Sequence, residues 1–242
     1  MSGRKRFFID KIEYSQETEV TLSGEEFVHA RTVQRIESGT EITLLDGSGN
    51  EYSAVVCNVG KRDLTAHILS AEKSCREPLT KIYLLCGALK GDKTELVVQK
   101  ATELGASEIA VFQSEYCAAY MNANKLERLQ KVAREAAKQC MRACVPEIKY
   151  YGNLKDALAS AKGCKNKLFA CEFATSSETD ITSLSGATAI LVGSEGGFSQ
   201  AEAELSAEYG FSRITLGRRI LRAETAAVAL TALVSYALGE LK

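Results

Sequence analysis

From residue 80 onward, short apolar runs alternate with segments that carry helical signals. The strand candidates are residues 82–86, 108–112, 168–172, 189–192 and 213–216. Strands that alternate with helices favour a largely parallel sheet, because neighbouring parallel strands need a long crossover connection and a helix usually supplies it. We therefore predict that residues 73–242 form an α/β domain.

Helix boundaries in this region are marked by cap residues. Asp92 stands three residues before Glu95, and Ser199 stands three residues before Glu202, which is the spacing of a capping box. Gly105 and Gly210 end these two helices in our interpretation. The last helix, residues 225–238, is apolar on nearly every side, which predicts burial in the core or against another subunit.

Residues 1–72 are predicted to form a smaller, strand-rich domain. Runs 41–45 and 51–56 flank an Asp46-Gly47 turn, which is a strong hairpin signal, and residues 64–69 alternate as a further strand. A short helix is predicted between Ser23 and Ile36, with Ser23 and Glu26 as its capping box. The polar segment 73–78 is the predicted boundary.

Composition limits the class of protein. Lys and Arg total 30 against 31 Asp and Glu, so net charge argues neither for nor against a nucleic-acid partner. The eight cysteines lack metal-site spacing, so we predict no metal and reduced thiols in a cytoplasmic protein. The longest apolar stretch, residues 226–238, is too short to span a membrane.

Two glycine-containing segments, residues 191–199 and 216–226, each join a strand to a helix. Open α/β sheets bind ligands at such strand ends, and glycine lets the backbone approach a ligand closely. Each segment alone is also compatible with a turn that binds nothing. Together they are predicted to form the walls of one pocket. Neither matches a dinucleotide fingerprint or a P-loop.

Basic residues form a stripe along the predicted helix 125–142. They are Lys125, Arg128, Lys131, Arg134, Lys138 and Arg142, of which the last five fall within about 120° of arc at ~100° per residue. Such a stripe can contact phosphates, although a charged face is often only solvated. The cluster Arg4-Lys5-Arg6 is a second basic patch.

These segments together resemble the ribosomal RNA small-subunit methyltransferase E family of the SPOUT class. The resemblance rests on Arg6-Phe7-Phe8 and on residues 29–47, 89–105, 135–148, 193–198 and 216–226. It implies a PUA-like β-barrel for RNA binding at 1–72 and an α/β domain with a parallel sheet and a trefoil knot at 73–242. Two departures are Ser194, where proline is expected, and Tyr116-Cys117, where arginine often occurs.

The family reaction implied by the resemblance is S-adenosylmethionine-dependent N3-methylation of a uridine in 16S ribosomal RNA, carried out by a homodimer on an assembled or nearly assembled 30S subunit. The implied cofactor-binding residues are Glu172, Leu191, Val192, Gly193, Glu195, Gly196, Leu216, Gly217, Ile220, Leu221, Ala223, Thr225 and Ala226. The predicted RNA-binding residues are Arg4, Arg6, Arg35, Lys90, Arg128, Arg134, Gln139 and Arg142.

For catalysis, we hypothesise that Arg222 stabilises the uridine anion and that Glu224 accepts or orients the N3 proton, with Glu195 as the second choice for that role. The motivation is their place on the two pocket segments. Two alternatives stay open: a 2′-O-ribose RNA methyltransferase of the same knotted class, and a non-catalytic RNA-binding assembly factor. A dinucleotide-dependent oxidoreductase is disfavoured by the missing fingerprint.

Overall fold

The computed structural model describes residues 5–13, 18–171, 174 and 176–241. The chain divides into two compact units, Met1–Glu77 with Ala137–Val145, and Pro78–Ala136 with Pro146–Lys242. The predicted domain boundary lies at residues 72 and 73, whereas the compact units divide after Glu77 and the first unit includes a segment from much later in the chain.

The first unit is built on a five-stranded sheet. Its strands are β1 (Lys5–Phe8), β2 (Glu19–Ser23), β3 (Glu41–Leu45), β4 (Asn50–Val59) and β5 (Asp63–Lys73), in the order β1-β3-β4-β5-β2. Strand β1 is parallel to β3, and the other pairs are antiparallel. Alternate side chains such as Leu22, Ile42 and Ile68 are buried in one apolar core, as the period of a half-buried strand requires. Closure of this sheet into a barrel stays a prediction.

The predicted hairpin at Asp46-Gly47 is confirmed as the connection between β3 and β4. The Asp46 carboxylate accepts hydrogen bonds from the backbone N–H of Ser48 at 2.9 Å and of Asn50 at 3.2 Å, so the side chain replaces backbone partners inside the turn. Gly47 has a φ of 72°, a conformation that favours glycine.

The helix predicted between Ser23 and Ile36 exists as α1 (Gly24–Val28) and a π-helical turn (His29–Val33). Its predicted capping box is wrong, because the Ser23 side chain makes no cap hydrogen bond. The Glu26 carboxylate instead pairs with the Lys138 ammonium at 2.7 Å.

The second unit contains a six-stranded sheet in which every described pair of neighbouring strands is parallel. Its elements are β6 (Ile82–Gly87), α2 (Lys93–Glu103), β7 (Glu108–Phe112), α3 (Ala123–Gln139, whose last three residues belong to the first unit), β8 (Glu147–Tyr151), α4 (Leu154–Ser160), β9 (Asn166–Ala170), a 3₁₀ turn (Ile181–Ser183), β10 (Thr188–Val192), α5 (Gln200–Glu208), β11 (Ser212–Ile214) and α6 (Ala223–Ala237). The order β11-β9-β10-β6-β7-β8 confirms the predicted parallel α/β sheet.

Most predicted strands are present with small shifts. Strand 108–112 is confirmed as β7, whereas β9 begins and ends two residues before the prediction and β11 is shorter. Strand β8 and helix α4 were not predicted. The capping box at Ser199 is confirmed, but Asp92 makes no side-chain cap bond to α2, so that box is wrong.

The last helix, α6, is buried on one face within this chain, and its predicted burial against another subunit stays a prediction. Leu230 and Val234 are fully buried, whereas Leu233 is 45% exposed and Tyr236 is 66% exposed. One face of α6 therefore contributes to the core and another presents apolar groups to solvent. Within the described ranges, no helix is both long and apolar enough to cross a membrane.

Candidate active site

The loops at the carboxyl edge of the parallel sheet line a cavity of about 810 Å³. The chain passes from β6 outward to β8 and then returns to the other side of β6 as β9, β10 and β11, which makes a topological switch point. Ligands of open α/β sheets bind outside the carboxyl ends of strands at such a point. The described lining residues are Lys93, Ala170, Cys171, Ala174, Val192, Gly193, Ser194, Glu195, Gly197, Phe198, Ile214, Thr215, Leu216, Gly217, Arg218, Arg219, Ile220, Leu221, Arg222, Ala223 and Ala226.

The loop after β10 depends on close packing around Gly193. A Cβ atom at this position would lie 2.8 Å from Cε2 of Phe198, so only glycine fits without movement of the ring. The Phe198 ring packs edge-on against Phe169 at 4.8 Å between centroids and is stacked with Phe112 at 6.3 Å. This aromatic group holds the loop on the sheet and forms an apolar part of the cavity wall.

The loop after β11 brings cations and a helix start to the same cavity. Gly217 has a φ of 101°, and its N–H donates to Oγ1 of Thr215 at 3.3 Å. Helix α6 begins directly after Arg222, so its first backbone N–H groups have no partner within the helix and can face a ligand. The side chains of Arg218, Arg219 and Arg222 are exposed at this cavity.

A three-residue charged cluster joins separate segments of the unit. The Lys93 ammonium lies 3.2 Å from Oε1 of Glu195 and 3.7 Å from Oε2 of Glu224. Burial raises the pKa of Glu195, but backbone N–H donors, including that of Lys90, and the Lys93 ammonium outweigh it and lower this pKa below the ordinary value. Glu195 is therefore ionised at neutral pH.

Cys86, at the end of β6, is fully buried near this cluster. Burial, with additional effects from Cys117, Glu195 and Glu224, raises the pKa of the Cys86 thiol to about 12. A neutral buried thiol is a poor nucleophile, so Cys86 has a packing role.

The predicted cofactor-binding residues are largely brought together. Those that line the cavity are Val192, Gly193, Glu195, Leu216, Gly217, Ile220, Leu221, Ala223 and Ala226. The predicted catalytic residue Arg222 also lines it. Leu191 is buried inside β10, and Gly196, Thr225 and Glu224 are not among the lining residues. Glu172 lies outside the described residues. The binding roles themselves stay predictions.

Gly196 packs against a neighbouring loop, and its predicted cofactor role stays a prediction. A Cβ atom there would lie 2.6 Å from both Cβ and the backbone oxygen of Tyr116, so the glycine allows these two loops to pack closely. Tyr116 takes the position where the resemblance predicts arginine, and it is 52% exposed.

Several lining residues were missed in the sequence, among them Lys93, Cys171 and Phe198. Lys93 follows Asp92, which we interpreted as a helix cap, and we assigned Lys93 itself no role. Phe198 directly precedes the cap Ser199, and an aromatic residue beside three glycines was the available signal.

The predicted RNA-binding residues have mixed environments. In the first unit, Arg35 and Gln139 are exposed, whereas Arg6 and Arg142 are mostly buried by ion pairs with Glu51 and Glu77 at 3.0 Å each. Helix α3 ends at Gln139, so Arg142 lies beyond it and the predicted stripe does not extend to this residue. We remove Arg6 and Arg142 from the proposed RNA contacts.

In the second unit, Lys90 and Arg128 are exposed and Arg134 is half-buried. Arg128 pairs with Glu95 at 2.8 Å, while 68% of its side chain stays accessible. Arg4 lies outside the described residues. Among the described residues, no cluster of His, Cys, Asp and Glu could hold a metal ion.

Known proteins resemble this chain over nearly its full length. A family model described as an RNA methyltransferase domain matches residues 75–235, and one described as an RNA methyltransferase PUA domain matches residues 22–69. Ribosomal RNA small subunit methyltransferase E of Mesomycoplasma hyopneumoniae is 34% identical, covering 93% of this chain and 96% of the relative. The protein of that name from Bacillus subtilis is 30% identical, covering 96% of each.

A solved structure gives the same result for the fold. The crystal structure of a ribosomal RNA small subunit methyltransferase E from Neisseria gonorrhoeae, bound to S-adenosyl methionine, superposes with a TM-score of 0.88 at 30% identity. The superposition covers 98% of each chain.

Proposed function

We propose a function from one premise: the chain belongs to the ribosomal RNA small subunit methyltransferase E family. On this premise it transfers a methyl group from S-adenosylmethionine to RNA of the small ribosomal subunit. The observation that carries the proposal is the cavity at the carboxyl edge of the sheet, which both predicted glycine loops line.

The cavity suits this cofactor in size and chemistry. About 810 Å³ falls within the range of roughly 300–1,000 Å³ that small-molecule sites occupy. Val192, Phe198 and Leu216 supply apolar wall for an adenine ring, and the start of α6 supplies backbone N–H donors. Oε2 of Glu224 is buried without a hydrogen-bond partner among the described residues, so a negative charge near this wall is not fully compensated.

We further propose that the methylated atom is N3 of a uridine. When bound, S-adenosylmethionine supplies the methyl group. The N3–H lies on the Watson–Crick edge and is a weakly acidic imide, so the base must be unpaired or flipped and must lose this proton. The exposed guanidinium of Arg222, which lines the cavity, is placed to stabilise the negative charge on the uracil carbonyl oxygens.

For the proton, the geometry supports Glu195 ahead of Glu224. Glu195 lines the cavity, whereas Glu224 does not. The lowered pKa of Glu195 makes it a weak base, so its role is to orient the N3–H and pass the proton on to water.

RNA recognition is proposed for both units. Arg35 and Gln139 of the first unit, and Lys90, Arg128 and Arg134 of the second, are the remaining candidates for phosphate contacts. We propose that the first unit is a PUA-like RNA-binding domain and that the substrate is a 30S subunit, assembled or nearly so, in the cytoplasm. The trefoil knot implied by the resemblance is part of this proposal.

We propose a homodimer on the basis of α6. Its exposed apolar side chains Leu233 and Tyr236 form a face that a second copy would cover. Leu233→Glu places a charge on this face, so light scattering should report a monomer where the wild type is a dimer. A wild-type chain that is already monomeric contradicts the proposal.

The test of the proposed function uses methyl-labelled S-adenosylmethionine with purified small and large ribosomal subunits. Label is expected in RNA of the small subunit only. Arg222→Ala should reduce kcat by about 10²- to 10³-fold, as the loss of one oxyanion donor does, with little change in cofactor affinity. Arg222→Lys, which keeps the charge, should retain more activity. Wild-type turnover in Arg222→Ala would remove Arg222 from the mechanism.

A further inference from the structure

The charged side chains of Lys93, Glu195 and Glu224 form a cluster at the cavity. Lys93 begins α2, Glu195 belongs to the loop after β10, and Glu224 lies in the first turn of α6, so three distant segments supply its charges. Glu195 Oε1 also accepts the backbone N–H of Lys90 at 3.0 Å, which fixes the carboxylate in place.

The charges of this cluster do not cancel. One ammonium faces two carboxylates, which leaves one negative charge. Side-chain exposures of 31%, 27% and 12% for Lys93, Glu195 and Glu224 mean that water screens this charge only in part. The uncompensated part resides on Glu224, whose buried Oε2 lies 3.7 Å from the ammonium and has no hydrogen-bond partner in the described chain.

The rest of the cavity wall has the opposite sign. Among the described lining residues, Glu195 is the sole acidic side chain, whereas Arg218, Arg219 and Arg222 are basic. These arginines are exposed, so solvent and salt screen them strongly. Lys93 offsets Glu195 within this lining, so the net negative charge of the cluster comes from Glu224, next to a wall whose other charged side chains are basic.

We propose that the Glu195–Lys93–Glu224 cluster selects the sulfonium form of the cofactor over its demethylated product. This inference rests on the proposed function. S-adenosylmethionine carries a positive charge at sulfur, whereas S-adenosylhomocysteine lacks the transferred methyl group and has a neutral sulfur. The net negative charge of the cluster attracts the sulfonium and has little effect on the neutral sulfur, so the cluster favours binding of the substrate over the product.

Lys93 is a positioning residue in this arrangement. Its ammonium holds two carboxylates of like charge near each other, and it limits the net charge to −1 instead of −2. The ratio of the dissociation constants of S-adenosylhomocysteine and S-adenosylmethionine should follow the net charge of the cluster and no other property of the loop.

Calorimetric titration of both compounds at pH 8 tests this dependence. Glu224→Gln brings the cluster to zero charge without altering the cavity lining, and the ratio should fall by about tenfold. Lys93→Met brings it to −2, and the ratio should rise. The double variant Lys93→Met/Glu224→Gln returns to −1, and the ratio should return to the wild-type value.

Glu103→Gln is the matched control, because Glu103 lies on the same helix as Lys93 and pairs with Lys100 at 2.9 Å. It should leave the ratio unchanged. If Glu224→Gln does not fold, as judged by its circular dichroism and Tm, Glu195→Gln gives the same net charge and the ratio must still fall.

A ratio that is the same in the wild type and in folded charge variants overturns the inference. A ratio that shifts equally in Glu103→Gln also overturns it, since the effect is then general to surface charge. Wild-type protein that binds neither compound contradicts the proposed function instead, which separates the two failures.

Discussion

Gly87 provides the sharpest test of how the cavity is built. It ends β6, pairs with Phe112 on β7, and approaches the loop after β10 closely. A Cβ atom at Gly87 would lie 2.5 Å from the backbone nitrogen of Ser194 and 3.0 Å from the carbonyl carbon of Gly193. Both contacts are with backbone, so no side-chain rotation relieves them. Gly87→Ala must move the loop that lines the cavity.

The expected cost follows from this geometry. Overpacking of a tight interior costs about 1–3 kcal/mol. At a loss of about 2 kcal/mol, a chain of this size should lose about 4–8 °C in Tm. Because Gly193 and Ser194 line the cavity, affinity for S-adenosylmethionine should fall at least tenfold, a change of about 1.4 kcal/mol.

Gly152→Ala is the matched control for this change. A Cβ atom at Gly152 meets no heavy atom within 4 Å, and the residue does not have a positive φ. Calorimetry and thermal unfolding should give near wild-type values for it, within about 0.5 kcal/mol. Wild-type Tm and affinity in Gly87→Ala would refute the inference that β6 and this loop are packed too closely to admit a methyl group between them.

Three further predictions concern single groups. Arg142→Ala leaves the Glu77 carboxylate without its ion partner, so unfolding of the first unit should become easier by about 3–5 kcal/mol in a denaturant titration, and an unchanged midpoint would contradict this. Burial raises the pKa of Glu51, but hydrogen bonds and nearby arginines outweigh this effect, so the pKa is below its ordinary value of 4.5. The stabilisation from the ionised Glu51 carboxylate is therefore complete above pH 4.5 and is lost as the pH falls through the lowered pKa. The Tm difference between wild type and Glu51→Gln should narrow as the pH is lowered from about 7 to about 3. Cys86 should resist iodoacetamide at pH 8 while the exposed Cys57 reacts, and equal labelling by mass spectrometry would contradict its burial.

Local signals in the sequence were sufficient to predict the parallel sheet. Strand β7 is an apolar run of five residues, and Ser199 and Glu202 cap α5 with side chains only three positions apart. Such features depend on neighbours in sequence, so their pattern is visible in the chain itself. Strand β8 escaped notice because Lys149 interrupts its apolar pattern and pairs with Glu108 at 2.7 Å on the adjacent strand.

Partners that are distant in sequence could not be inferred in the same way. Lys93 stands more than a hundred residues from Glu195 and Glu224, and nothing in its local segment indicates either partner. Arg142 continued a basic stripe in the sequence, but the helix ends before it and Met141 adopts a positive φ of 65°. Its guanidinium instead forms an ion pair with Glu77 inside the first unit.

The two pocket loops could be predicted from the sequence only in part. Their glycines and their place after strands predicted that 191–199 and 216–226 line one cavity, and the structure brings both to it. The sequence did not indicate that Gly196 packs against Tyr116, because a glycine that serves a ligand and one that serves a neighbouring loop have the same local pattern.

The central proposal is that this chain methylates uridine N3 in small-subunit ribosomal RNA. The most direct measurement incubates the purified protein with methyl-labelled S-adenosylmethionine and small subunits from a strain that lacks the modification, followed by digestion and mass spectrometry of the labelled nucleoside. The account predicts label in 3-methyluridine. Label on a ribose would contradict it and favour the 2′-O-methyltransferase alternative, and cofactor binding without any label would mean that small-subunit RNA is not the substrate.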